Sequence, residues 1–221
     1  MSDKPKTIAV LGGTGNEGGG LALRWAKAGH PVVIGSRDRA KADAAAAEIA
    51  AKTGGHATGG TMLEAARAGD IVVLSVPFAA QQATATDVSG ALAGKVLVDV
   101  TVPLAPPRVG RVQLPEGGSA VEALQQLLGE RVKVVSAFQN ISAHHLAHLD
   151  AEVECDVLVC SDDREAAAEV IGLANAAGLA AWDAGPLANS AATEALTSVL
   201  ITLNRRYKLD GSGIRITGIP R

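Results

Sequence analysis

A chain of 221 residues with 48% hydrophobic side chains and a mean hydropathy of +0.21 can build a full core. Its length suits one large domain, or one domain with a small appendage. A net charge of −3 and an aromatic content of 2% argue against nucleic acid as a partner, since no basic face or stacking platform is in sight.

No apolar run approaches the length of a membrane span, and the start MSDKPKTIAVLGG lacks a secretory pattern, so a cytoplasmic protein is expected. In chain order, the expected strands are 7–11, 32–36, 71–76, 96–101, 132–138, 156–160 and 179–183. The expected helices are 18–28, 39–52, 61–68, 79–92, 119–128, 163–177 and 189–208. Continuous apolar strands alternating with helices specify a doubly wound α/β fold, a parallel sheet covered on both faces. Residues 1–153 are expected to form the main domain and 154–221 a small C-terminal α/β extension. Cys155 and Cys160, the two cysteines, are expected as buried free thiols in one strand. Residues 102–118 are rich in Pro and Gly, and an irregular segment this long is usually functional or mobile. The last helix carries an apolar stripe that suits the body of the fold or a second subunit.

The stretch VLGGTGNEGGG, residues 10–20, places six glycines in eleven positions directly after the first strand. Gly13-Thr14-Gly15-Asn16-Glu17-Gly18 fits G-x-G-x-x-G, with a helix behind it and a second strand closing a βαβ unit by Ser36. In this Rossmann-type, NAD(P)-binding setting Gly13 makes the turn, Gly15 admits a pyrophosphate and Gly18 lets helix and strand pack. The helix start offers unpaired N–H groups to the phosphates. Gly19 and Gly20 lie beyond the motif, where small residues let the first helix pack closely.

About twenty residues on, an NAD site carries a carboxylate for the ribose 2′-hydroxyl. This chain reads Gly35-Ser36-Arg37-Asp38-Arg39-Ala40-Lys41 instead. A hydroxyl followed by three cations suits a 2′-phosphate, with Ser36 as donor, Arg37 for planar contact and Lys41 as a point charge. The cofactor expected is therefore NADP(H), and Asp38 is expected as a helix cap.

Ser75-Val76-Pro77-Phe78 and Thr101-Val102-Pro103 leave two strands at the same sheet edge, and so does Ser136-Ala137-Phe138-Gln139-Asn140-Ile141-Ser142. Val76 and Phe78 are expected against the nucleotide, with ordinary strand-ending turns as the alternative. The 136–142 segment is the candidate for a second ligand. His144, His145 and His148 are read as surface or packing residues, and no metal site is expected. Asp162-Asp163 reads as a cap pair. Arg205, Arg206 and Lys208 close the last helix, where cations favour the dipole; contact with a polyanionic ligand tail is the alternative. There is no Ser-His-Asp order, no G-x-S-x-G and no evident acid–base residue, so no catalytic side chain is assigned. Direct hydride exchange between two rings needs little such help.

LGGTGNEGGGLALRWAKAGHPVVIGSR, VVSAFQNISAHHLAHLD, CDVLVCSDD and DAGPLANSAATEALTSVLITLNRR together closely resemble the F-420-dependent NADP oxidoreductases, along essentially the whole chain. The resemblance implies reversible hydride transfer between NADPH and the 8-hydroxy-5-deazaflavin coenzyme F-420 as co-substrate. It also implies a small C-terminal domain closing the cleft, and a homodimer or higher homo-oligomer. By position, Thr14, Gly15, Asn16 and Glu17 would line the phosphates, and Ser36, Arg37 and Lys41 would hold the 2′-phosphate. Val76 and Phe78 would flank the nucleotide, and Ala137 to Ser142 would approach the rings, with Ala137 on the cofactor side and Gln139, Asn140 and Ser142 on the substrate side. The family commonly has a histidine where this chain has Gln139, which cannot titrate. That departure keeps open a sister NADPH-dependent reductase of another acceptor, such as an imine, flavin or metal chelate; a noncatalytic NADP(H)-sensing module is the competing reading from a different class.

Overall fold

The computed structural model describes residues 4–150 and 152–219. Among the described residues eight strands alternate with eight α-helices: β1 (Ile8–Leu11), α1 (Asn16–Lys27), β2 (Val32–Ser36), α2 (Arg39–Thr53), β3 (Ala57–Thr61), α3 (Met62–Ala68), β4 (Ile71–Leu74) and α4 (Phe78–Val88) come first. They are followed by β5 (Val96–Asp99), α5 (Ala120–Leu128), β6 (Lys133–Ser136), α6 (Ala143–Leu146), β7 (Val157–Val159), α7 (Arg164–Ala176), β8 (Ala181–Asp183) and α8 (Ser190–Tyr207).

Six strands form one parallel sheet in the order β3-β2-β1-β4-β5-β6, while β7 and β8 pair separately. The chain thus winds outward from β1 to one edge, returns, and winds outward from β4 to the other. The crevice opens where that direction reverses, outside the carboxyl ends of β1 and β4. Every residue of β1 is buried, and its alternation serves both faces. Ile8 and Val10 join the layer of Trp25, Ile34 and Phe138, while Ala9 and Leu11 join that of Leu74, Leu97 and Leu124.

The sequence reading contained no strand at β3, because Ala57-Thr58-Gly59-Gly60-Thr61 offers no apolar run. The reason is close packing. A side chain at Gly59 would collide with the α2 backbone at Ala42 and Asp43, so this edge strand must be small where α2 crosses it. Strand β2 keeps its expected bounds of 32–36, while the remaining strands are shorter at their ends than expected, notably β6, which stops at Ser136 rather than 138.

The C-terminal elements share the first core layer, where Val157, Val159, Val170 and Leu173 pack with Trp25. An antiparallel bridge ties Ser136 to Cys160, with N–H···O distances of 2.9 and 3.0 Å. Cys155 lies before β7 and Cys160 directly after it, so neither is within the strand, and both cysteines are buried and free. Arg24 of α1 is buried and donates to the carbonyls of Leu146, His145, His148 and Ala177 at 2.8–3.1 Å, pinning α6 and the end of α7 to α1. Gly20 makes that contact sterically possible, since a Cβ there would lie 2.6 Å from the Leu146 Cβ.

Candidate active site

The β1–α1 turn is shaped by what passes beside it. Gly12 has φ +87°, and a Cβ there would run into the Ser75 carbonyl, so both conformation and space demand glycine. Gly13 closes the turn by donating to Val10 O at 3.2 Å, and Gly18 abuts Ser75, whose Oγ would lie 2.9 Å from a Cβ. The residue with the left-handed backbone is thus Gly12, one place before the motif's first glycine. Helices α2, α3, α5 and α7 are capped by the side chains of Asp38, Thr61, Ser119 and Asp163, which accept from backbone N–H groups of the first turn. Helices α6 and α8 have none, nor do α1 and α4. The latter two begin at the same cavity, so their first N–H groups and positive dipole ends are left for a ligand.

That cavity, about 390 Å³, collects the ends of four strands. Gly15, Asn16 and Glu17 follow β1; Ser75, Val76 and Phe78 follow β4; Thr101, Val102 and Leu104 follow β5; Gln139 and Ile141 follow β6; and Thr197 of α8 closes the far side. Three of these carry a buried polar atom without a partner among the described residues: Glu17 Oε1, Thr101 Oγ1 and Gln139 Oε1. Gln139 Nε2 donates to the Asp99 carbonyl at 2.8 Å, which fixes the amide and aims its oxygen as an acceptor. Burial pushes the Glu17 carboxyl up to about 8, so it holds its proton at neutral pH. Buried polar atoms are normally paired, and three of the five unpartnered ones among the described residues belong to side chains that line this cavity.

Below the cavity lies a polar layer that sequence reasoning missed. The buried Asp99 carboxylate accepts from Gln81 Nε2 and from Thr101 N at 2.9 Å, and burial raises its pKa. Glu194 of α8, also raised by burial, accepts from Ser119 Oγ at 2.7 Å and from Ala120 N at 2.8 Å at the start of α5. The available signal was a lone carboxylate within an apolar run (VLVDV), which needs buried partners. Asn140 Nδ2 donates to Thr193 O at 2.8 Å and Thr197 Oγ1 at 3.2 Å, and Thr197 Oγ1 donates to Gln139 O at 2.8 Å. These bonds fasten α8 over the cavity.

The remaining expected residues divide by location. Ser36 ends β2, and its Oγ accepts from Asp38 N at 3.2 Å, while Asp38 caps α2. Arg37 and Lys41 are exposed at the same corner with no ion pair among the described residues, whereas Arg39 is bound by Glu64 at 2.8 Å and Asp43 at 3.5 Å. Of the three cations, two are therefore free for an anion. Thr14 lies exposed on the turn, lining a second hollow of about 240 Å³ with Gly13 and Gly15. Ala137 is buried in the core layer, and Asn140 spends its amide on α8. Ser142 precedes α6 and lies against Gly211, away from the cavity. His144 stacks edge-on with His145 and His148, His145 Nε2 lies 2.9 Å from Gly211 O, and no cluster suited to a metal occurs among the described residues. Asp163 caps α7 as expected, but Asp162 instead accepts from Leu187 N at 3.0 Å.

A 3-2-1-4-5-6 parallel sheet, a glycine turn running into an uncapped helix and a cavity at the switch point define a Rossmann-class protein. Residues 7–103 match the family described as NADP oxidoreductase coenzyme F420-dependent. The chain is 45% identical to the F420-dependent NADP reductase of Methanocaldococcus jannaschii, covering 96% of this chain and 98% of that protein. It is 43% identical to that of Methanothermobacter marburgensis, covering 96% and 99%. A crystal structure from Arthrobacter sp. FB24, proposed there to be an F420-dependent NADP-reductase, superposes with a TM-score of 0.79 at 29% identity, covering 95% of this chain and 98% of that one. The chain belongs to the F420-dependent NADP reductase family.

Proposed function

We propose that this chain is an NADPH:coenzyme F-420 oxidoreductase. The observation that carries the reading is the switch-point cavity, where two uncapped helices and three orphaned polar atoms meet. When bound, NADPH supplies a hydride from C4 of its nicotinamide and the deazaflavin takes it at C5, with one proton from solvent completing the reduction.

The chain's own residues position and shield. The first N–H groups of α1, from Asn16 to Gly18, receive the pyrophosphate, and Gly15 lets it approach. Ser36, Arg37 and Lys41 receive the 2′-phosphate, for which a carboxylate at this corner would be repulsive. Val76, Phe78 and Ile141 supply apolar walls for flat rings and exclude water. Gln139 Oε1 accepts from a ring or carboxamide N–H, and the protonated Glu17 carboxyl avoids placing a negative charge beside the phosphates. No side chain need exchange a proton with the reacting carbons, so holding the rings face to face is the main catalytic task. Residues 154–221 complete the cleft as a small C-terminal domain, a role supported by Thr197 in the cavity wall.

The reading extends to a cytoplasmic homodimer or higher homo-oligomer. An exposed stripe of Val199, Leu203 and Tyr207 on α8, near the exposed Val112 and Leu114, supports a second copy as its cover. Among the described residues no helix is long and apolar enough to cross a membrane.

The test mixes purified protein with NADPH and oxidised F-420 and follows loss of the deazaflavin's visible absorbance. Enzyme-dependent bleaching with one NADP formed per F-420 reduced is expected. NADPH binding without turnover would point instead to the sensing module.

A further inference from the structure

We infer that the groove between α8 and the 102–118 segment is a polyanion subsite that holds the acidic side arm of the deazaflavin co-substrate. The inference rests on the function proposed above. The groove, shallow and largely open to solvent, is built by Arg108, Gly110 and Arg111 on the loop and by Thr202, Arg205 and Arg206 on α8. Four exposed guanidinium groups converge there, and none has an ion pair or side-chain hydrogen bond among the described residues.

Five described cations lie in ion pairs, Lys6 with Glu169, Arg39 with Glu64, Lys52 with Glu48, Lys133 with Asp163 and Arg215 with Glu154, and many others, Arg37 and Lys41 among them, do not; what sets this patch apart is that four guanidinium groups share it. With 23 acidic against 20 basic residues, partners are not scarce. Gathering four like charges without one is unfavourable unless an anion joins them. The helix dipole accounts for Arg205 and Arg206 at the end of α8, but it gives no reason for Arg108 and Arg111 on the loop.

The loop is held flat on the helix. Thr202 Oγ1 donates to Gly110 O at 2.8 Å, and Ser198 Oγ to Arg111 O at 3.4 Å. A Cβ on Gly110 would lie 2.9 Å from Thr202 Oγ1, so glycine lets the Thr202 hydroxyl reach the loop backbone.

The groove also continues the cavity along the same two elements. Leu104 and Thr197 line the cavity, while Gly110 and Thr202 line the groove. Five residues of helix span about 7.5 Å. A ligand with its ring in the cavity and its side chain running along α8 passes directly over the four arginines. The side arm of F-420 is a phosphodiester followed by glutamyl carboxylates, and planar guanidinium groups pair bidentately with both.

The test compares two acceptors with NADPH, complete F-420 and 8-hydroxy-5-deazariboflavin, which lacks the phosphodiester and the glutamates. Two double variants are used, Arg108→Ser with Arg111→Ser, and Arg205→Gln with Arg206→Gln. The expected result is a tenfold or greater rise in KM for F-420, with kcat and the KM for NADPH within about twofold. The KM for the tail-less acceptor should not move, and the wild-type preference for complete F-420 should shrink with added salt. An equal change for both acceptors, or none, overturns the assignment. So does a change in oligomeric state by light scattering with KM intact, which would make the arginines a subunit contact. If wild type binds NADPH but reduces neither acceptor, the proposed function itself falls; turnover with unaltered KM in both variants sinks the groove alone.

Discussion

Replacing Glu17 by Gln removes a carboxyl that is shut into the cavity wall with an unpartnered oxygen. Burial moves its pKa from 4.5 to about 8. Between those values the folded chain keeps a proton that the unfolded chain has released, so this group lowers stability as pH rises and its effect levels off above pH 8. Each unit corresponds to about 1.4 kcal/mol, so from pH 5 to pH 8 the wild type loses on the order of 3 kcal/mol through this one carboxyl. Glutamine has the same shape and no proton to lose, so the variant escapes that slope. Asp99 and Glu194, also raised by burial, add slopes of the same sign but remain in both proteins and cancel in the difference. The assay is urea unfolding of the ligand-free wild type and Glu17→Gln at pH 5, 6.5 and 8. The variant should gain on the wild type by about 3 kcal/mol across that range. Parallel pH profiles would refute the buried, protonated carboxyl.

Arg37→Ala should raise KM for NADPH by about tenfold or more and leave NADH within about threefold, as expected for loss of a charge-assisted phosphate contact; equal losses would remove the 2′-phosphate assignment. Gly20→Ala should destabilise by about 1–3 kcal/mol in thermal or urea unfolding, because its methyl would meet the Leu146 Cβ at 2.6 Å. Gly172→Ala in α7, where a Cβ would meet nothing within 4 Å, should instead stabilise by about 0.5–1 kcal/mol. A shared sign for the two glycine variants would contradict the packing argument.

The fold was legible where the signal was local. Apolar runs marked β1, β2, β4, β5 and β6, and the glycine turn followed directly on the first of them. Strand β3 was illegible because its composition answers to α2, and steric fit across elements leaves no periodicity behind. The cations Arg37, Arg39 and Lys41 look equivalent in sequence. They differ because Glu64, held by the Thr61 capping box of α3, reaches back to Arg39, which Asp43 also meets. The segment after β6 offered several polar candidates at once. Phe138, with φ 74°, turns the chain so that Gln139 and Ile141 line the cavity while Asn140 turns to α8. Glu194 meets the start of α5 across 74 residues of sequence, a long-range pairing without a local signature.

Direct transfer between two rings held in one cavity, with no protein group exchanging the migrating hydrogen, is tested most directly with NADPH deuterated at C4. The protein is incubated with the labelled NADPH and oxidised F-420 in ordinary water, and the reduced deazaflavin is analysed by mass and NMR. With the label on the transferred face, the expected product carries one deuterium at C5, since carbon-bound hydrogen there does not exchange with solvent. Reduced deazaflavin without deuterium from either labelled face would contradict direct hydride transfer.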